Sequence, residues 1–90
     1  MSTGDTIYDL FITAKAEKDI RKLPALVRTR VIEHVNALAT DPRPYGSIKL
    51  TNSDGIHRVR VNDYRVLYVI DDGRTYIEVR RVKHRSEAYD

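Results

Sequence analysis

The sequence predicts an α+β domain, and three observations carry the prediction. Over residues 56–80 the chain alternates apolar and polar side chains in runs separated by turn residues at Asn62-Asp63 and around Asp71-Asp72-Gly73-Arg74. That is the pattern of an antiparallel meander. Over residues 13–39 apolar residues instead recur every three or four positions, interrupted at Pro24, which is the pattern of an αα-hairpin. A short alternating run at residues 7–12 precedes the helices. A helical stripe and a sheet face that are both apolar must bury each other, so the hairpin covers one side of the sheet.

In the first run Tyr8, Leu10 and Ile12 share a face. Thr13 is placed to cap the first helix, whose stripe is Ala16, Ile20 and Leu23. Lys15, Lys18, Asp19, Arg21 and Lys22 fall on its outward side and read as solubilising surface. Pro24 suits the first turn of the second helix. Val27, Val31, Val35 and Leu38 form the second stripe, and Asp41-Pro42-Arg43-Pro44 enforces an extended exit. Ile48-Lys49-Leu50 is a candidate short strand, and Asn52-Ser53-Asp54-Gly55 is a turn into the meander.

The Asn62-Asp63 turn sets a register. It pairs Val61 with Tyr64, Arg60 with Arg65, and Val59 with Val66. Directly paired residues share a face, so Arg58, Arg60 and Arg65 project together. The next loop has even length whether counted as two residues or four, which places Arg80 on that face too. The other face carries Val59, Val61, Tyr64, Val66, Tyr68, Ile70, Ile77 and Val79 and is a core. Like charges set opposite one another destabilise a sheet, and an anion relieves them. The planar, five-donor guanidinium suits phosphate. On clustering alone, a phosphate-binding surface and a solvated basic face both stay open.

Ninety residues, 41% hydrophobic and 32% charged, make one domain over 1–90 and argue against disorder. The absence of cysteine excludes disulfides, cysteine-ligated zinc and thiol catalysis. No signal-peptide segment or membrane-length apolar run appears, so a cytoplasmic protein with no membrane partner is expected. The net charge of +3 favours a polyanionic partner. His34, His57 and His84 lack metal-site spacing, and the glycines make no phosphate loop, so neither metal nor cofactor is expected. What remains is the arginine face and the tail Lys83-His84-Arg85-Ser86-Glu87-Ala88-Tyr89. Phosphate-clamping arginines, a proton carrier and a stacking ring are the parts needed for RNA scission by attack of a 2′-hydroxyl on the adjacent phosphate. On these residues alone a plain basic tail stays open as well.

Two motifs carry a family resemblance. HRVRVNDYRVLYVIDD resembles the "yRiRvGdYRviYei" segment, and VKHRSEAY the terminal "VgHRreVY", of the RelE/ParE superfamily of type II toxin–antitoxin toxins. AKAEKDIRKLP and DPRP are similar to its first helix and to its exit from the second. The resemblance spans nearly the whole chain. It implies a twisted antiparallel sheet with an N-terminal αα-hairpin on one face. It also implies a ribosome-dependent endoribonuclease that cuts mRNA in the A site of the 30S subunit. A cognate antitoxin peptide would wrap and silence it, in a heterotetramer or larger assembly.

Residue by residue, the resemblance makes Arg58 and Arg60 the two basic strand positions and Arg65 the contact to the scissile phosphate. Lys83 or His84 falls near the acid position, and Tyr89 matches the terminal tyrosine. Arg80 and Arg85 are added as phosphate contacts from the face and the tail. Where relatives carry lysines on the strand this chain has arginines, which cannot act as a base. His84 is then the candidate base, and Lys83 replaces the glycine before the family's histidine. The alternatives are a ParE-like inhibitor of DNA gyrase and a non-catalytic antitoxin-binding module.

Overall fold

The computed structural model describes residues 6–51 and 53–87. The elements are β1 (Asp9–Ile12), α1 (Ala14–Arg21), α2 (Ala25–Ala37), β2 (Ile48–Lys49), β3 (Ile56–Val61), β4 (Tyr64–Asp71) and β5 (Tyr76–His84). One sheet has the order β1-β5-β4-β3-β2. Strands β2 to β5 form the expected antiparallel meander, while β1 lies parallel to β5 on its outer edge. The sheet is therefore mixed, not wholly antiparallel. Strand β1 also begins later than the alternation suggests, because the Tyr8 N–H donates to the Ala39 carbonyl at 2.8 Å and ties the chain to the end of α2.

Thr13 joins these parts. Its N–H donates to the Val79 carbonyl at 3.1 Å, ending β1 against β5. Its hydroxyl oxygen accepts from the Ala16 N–H at 3.1 Å and donates to the Arg80 carbonyl at 3.0 Å, so the helix cap is also a tether to the sheet. Pro24 is the N-cap of α2 and stands just outside the helix rather than in its first turn. Helix α1 lies over β5 and α2 over β3. Ala16, Ile20, Leu23, Val31, Val35 and Leu38 meet Val59, Val61, Val66, Tyr68, Ile77, Val79 and Val82 in one buried cluster, with Tyr64 and Ile70 at its margin. The opposite sheet face is left clear of both helices.

The register of β5 is where the structure departs from simple alternation. From Asp71↔Tyr76 to Tyr68↔Val79 the pairing continues as the loop dictates. The register then shifts between Leu67 and Tyr68, giving Leu67↔Arg81, Val66↔Val82, Arg65↔Lys83 and Tyr64↔His84. Arg80 is the extra residue of a β-bulge. The reason lies in the side chains. Without the bulge Arg81 would stand opposite Val66 in the core and Val82 would face outward. One inserted residue exchanges them, and Val82 is buried.

Helix α1 secures the exchange. The Asp19 carboxylate accepts from Arg81 Nε at 2.8 Å and Nη2 at 3.2 Å, and from the Val82 N–H at 2.9 Å. Asp19 is thus not part of a solvated outward face. Burial pushes its carboxyl pKa up, but the Arg81 guanidinium and the Val82 N–H outweigh that and hold it below the usual value.

Candidate nucleic-acid interface

The β3–β4 hairpin builds the site. Its register is Val61↔Tyr64, Arg60↔Arg65 and Val59↔Val66, closed by Asn62 at φ 55°. Asn tolerates that left-handed conformation better than most residues. Arg58 sits between Ile48 on β2 and Leu67 on β4. It is only 7% exposed, so its guanidinium as well as its aliphatic stem is largely withdrawn from solvent. Arg60 is exposed and Arg65 half-buried.

Arg65 has Arg60 opposite it on one side and Lys83 on the other. These residues form a row across three strands, about 10 Å from end to end at the usual strand spacing. Lys83 therefore stands opposite Arg65, where unbroken alternation from the Asp71↔Tyr76 pair would put Val82. Arg80 is displaced by the bulge, and its Nε donates to Glu78 Oε1 at 2.8 Å.

Beside the row is a cleft of about 160 Å³ lined by Arg60, Asn62, Asp63, Tyr64, Arg65 and Arg85. The Arg85 N–H donates to the Asp63 carbonyl at 2.7 Å, which returns the tail to the hairpin turn. Its guanidinium stands 3.9 Å from the Asp63 carboxylate, with side-chain exposures of 70% and 67%. A pair so exposed holds little energy, so Arg85 can exchange that carboxylate for a phosphate at small cost.

His84 does not join this row. It pairs with Tyr64, whose ring it meets edge-on at a centroid distance of 5.1 Å. Tyr64 packs against the helix-covered core, and there His84 lines a depression with Asp19, Lys22, Leu23 and Glu87 that meets the cleft only at the shared wall of Tyr64. Ser86 donates its backbone N–H to His84 Nδ1 at 3.1 Å, and its Oγ lies 2.8 Å from the same nitrogen. A backbone N–H can only donate, so Nδ1 is an acceptor and the neutral ring carries its proton on Nε2. Of Lys83 and His84, which the sequence leaves open, Lys83 is the one on the Arg65 face. Tyr89 lies outside the described residues, as does Asn52 of the expected turn.

His57 is on the core side, its ring stacked on Tyr68 at 5.7 Å and its Nδ1 3.1 Å from the Gly55 carbonyl. Burial lowers its pKa, which favours the neutral ring. Among the described residues no group of three His, Asp or Glu side chains gathers as a metal site. No helix among them is long and apolar enough to cross a membrane.

Two features escaped alternation alone. The bulge has a sequence trace, since the apolar residues of β5 run Ile77, Val79, Val82 and the spacing jumps from two to three. Asp19 falls on the Ala16–Ile20–Leu23 side of α1 by helical spacing, which was the available signal that it turns inward.

Residues 10–89 match the family model described as the ParE toxin of the type II toxin–antitoxin system parDE. Toxin RelE of Mycobacterium tuberculosis is 35% identical over 88 residues, covering 97% of this chain and 91% of the relative. The archaeal RelE–RelB complex from Pyrococcus horikoshii OT3 contains a chain superposing with a TM-score of 0.79 at 28% identity, over 91% of this chain and 99% of that one. The RelBE2 toxin–antitoxin complex of M. tuberculosis gives 0.76 at 31% identity, over 87% and 98%.

Proposed function

This chain belongs to the RelE/ParE family of toxins of type II toxin–antitoxin systems, and we propose that it is a ribosome-dependent, metal-independent mRNA endoribonuclease. The observation that supports this reading most is the row Arg60–Arg65–Lys83 with Arg85 at the adjoining cleft. An mRNA phosphate seated on the row would bring the 2′-hydroxyl of its own 3′-linked ribose into line with the departing 5′-oxygen. The 2′-oxygen bonds to phosphorus and the bond to the 5′-oxygen breaks, leaving a 2′,3′-cyclic phosphate and a 5′-hydroxyl. Arg60, Arg65 and Arg85 neutralise the extra charge on the phosphorane. The Lys83 ammonium gives its proton to the leaving 5′-oxygen. The 2′-hydroxyl proton goes to water or a ribosomal group, because guanidinium cannot accept it and His84 stands on the other face.

The toxin acts in the cytoplasm, where translating ribosomes are. The relatives solved with RelB support a cognate antitoxin as partner. An acidic segment laid over the cationic row would silence it and order on binding, in a heterotetramer or larger assembly.

The family model's own description, ParE toxin, favours a second reading, inhibition of DNA gyrase with the arginines as a docking surface. The experiment is primer extension on mRNA translated by purified ribosomes, run beside a gyrase supercoiling assay. Discrete A-site cuts that need ribosomes and disappear in Arg65→Ala, with folding intact, support the nuclease. Inhibited supercoiling without cuts moves the protein to the second reading, and silence in both assays leaves a non-catalytic antitoxin-binding module.

A further inference from the structure

The Pro44–Ser47 corner carries a side chain that neither packing nor the row of cations accounts for. Tyr45 is fully exposed, at 105% relative accessibility, and is the most exposed large hydrophobic of the described residues. The backbone that presents it is well tied. The Ser47 N–H donates to the Pro44 carbonyl at 2.9 Å, and Gly46 has φ +91°. Together these make a type II turn with Tyr45 at its outer corner and glycine where positive φ is required. Just before the turn, the Tyr68 hydroxyl donates to the Pro42 carbonyl at 2.8 Å. Arg43 donates to Asp72 at 2.9 Å, and Asp72 also accepts from the Tyr8 hydroxyl at 2.7 Å. A large ring is thus held out to solvent on a braced loop, so little conformational freedom is lost when something binds it.

The surroundings indicate what binds. Tyr45 and Gly46 line a groove with Arg58, Val59 and Arg60, and Arg60 also lines the cleft that holds Arg65 and Arg85. Groove and cleft share a wall, so the cationic track runs from Arg85 past Arg65 and Arg60 to end at an aromatic ring. A basic track with an aromatic platform is how proteins hold single-stranded nucleic acid, because phosphates follow the charge and a base stacks on the ring.

We infer that Tyr45 is a stacking site for a nucleobase of the bound RNA, several nucleotides along the strand from the phosphate on Arg65. The inference rests on the RNA reading above and adds a contact that sets how the strand is held.

The test compares wild type, Tyr45→Ala and Tyr45→Phe on ribosome-bound mRNA. Tyr45→Ala should lower kcat/KM about 5- to 150-fold, the range for losing one stacked base, while Tyr45→Phe stays within about threefold. mRNAs with 5-iodouridine at successive positions around the cut should photocross-link to Tyr45 from one position. An abasic site there should slow wild type as much as Tyr45→Ala does, and leave Tyr45→Ala unchanged. If wild type cuts and Tyr45→Ala cuts equally well, the inference fails and the nuclease reading stands. If Tyr45→Ala cuts normally but no longer co-elutes with a co-expressed antitoxin, the ring belongs to a protein contact and the inference is overturned. If wild type makes no cuts, the nuclease reading falls and takes this inference with it.

Discussion

Replacing Asp19 by Asn keeps the shape of the side chain and removes its charge, at the point where α1 holds β5 in its bulged register. The carboxylate accepts from Arg81 Nε, Arg81 Nη2 and the Val82 N–H at 2.8, 3.2 and 2.9 Å. Asn retains one acceptor oxygen and turns an NH₂ toward the remaining donors. A hydrogen bond to a charged group contributes about 1.5–3 kcal/mol. The side chains of Arg81 and Asp19 are 36% and 16% exposed, so solvent recovers part of the loss on the arginine side. A net destabilisation of about 2–3 kcal/mol follows, which in a domain of this size lowers Tm by about 10–20 °C.

The pH dependence gives the sharper check. The Asp19 carboxyl is held below its ordinary value in the fold. Its stabilisation is therefore complete above the unfolded value, near pH 4, and is lost as pH falls through the folded one. Urea denaturation of wild type and Asp19→Asn at pH 7 and pH 3 should show a gap that closes on acidification, and an Arg81→Met double-mutant cycle should show coupling. The Val82 amide should exchange faster in the variant, because its acceptor is weakened. Equal stability at pH 7 within about 0.5 kcal/mol, or a gap that persists undiminished at pH 3, would refute the reasoning.

Other expectations follow from the same geometry. Lys83→Met should slow mRNA cleavage by about 10²–10⁴-fold, the range for losing a general acid. His84→Gln should cost less than about tenfold, and the reverse order in single-turnover cleavage would return the proton transfer to the histidine. Tyr68→Phe leaves the Pro42 carbonyl without its buried donor and should destabilise by about 1–2 kcal/mol in chemical denaturation. An unchanged midpoint would mean water replaces the hydroxyl. Burial lowers the His57 pKa, so the unfolded chain binds the proton first. Stability should then fall as pH drops below about 6.5, and His57→Gln should flatten that slope between pH 6.5 and 5. A wild-type slope identical to the variant's would show that His57 titrates alike in both states.

Much of the fold was legible because its signals are local. Apolar spacing of three to four against two separated helices from strands. The Asn62-Asp63 turn set the β3–β4 register that the structure adopts, bringing Arg58, Arg60 and Arg65 to one face and Val59, Val61 and Val66 to the other. Thr13 capped the helix as its chemistry dictates. The tertiary structure decided what depends on residues distant in sequence. The β1 edge became parallel because the meander and the helical hairpin leave it the outer side of β5. Arg58 was buried by Ile48 and Leu67, which pairing brings to it from two different strands. Most consequentially, the need to keep Arg81 out of the core, met by one bulged residue and by Asp19 on α1, turned Lys83 toward Arg65 and His84 away. Alternation is a property of one strand, but the choice of which residue breaks it belongs to the helix and strand packed against it.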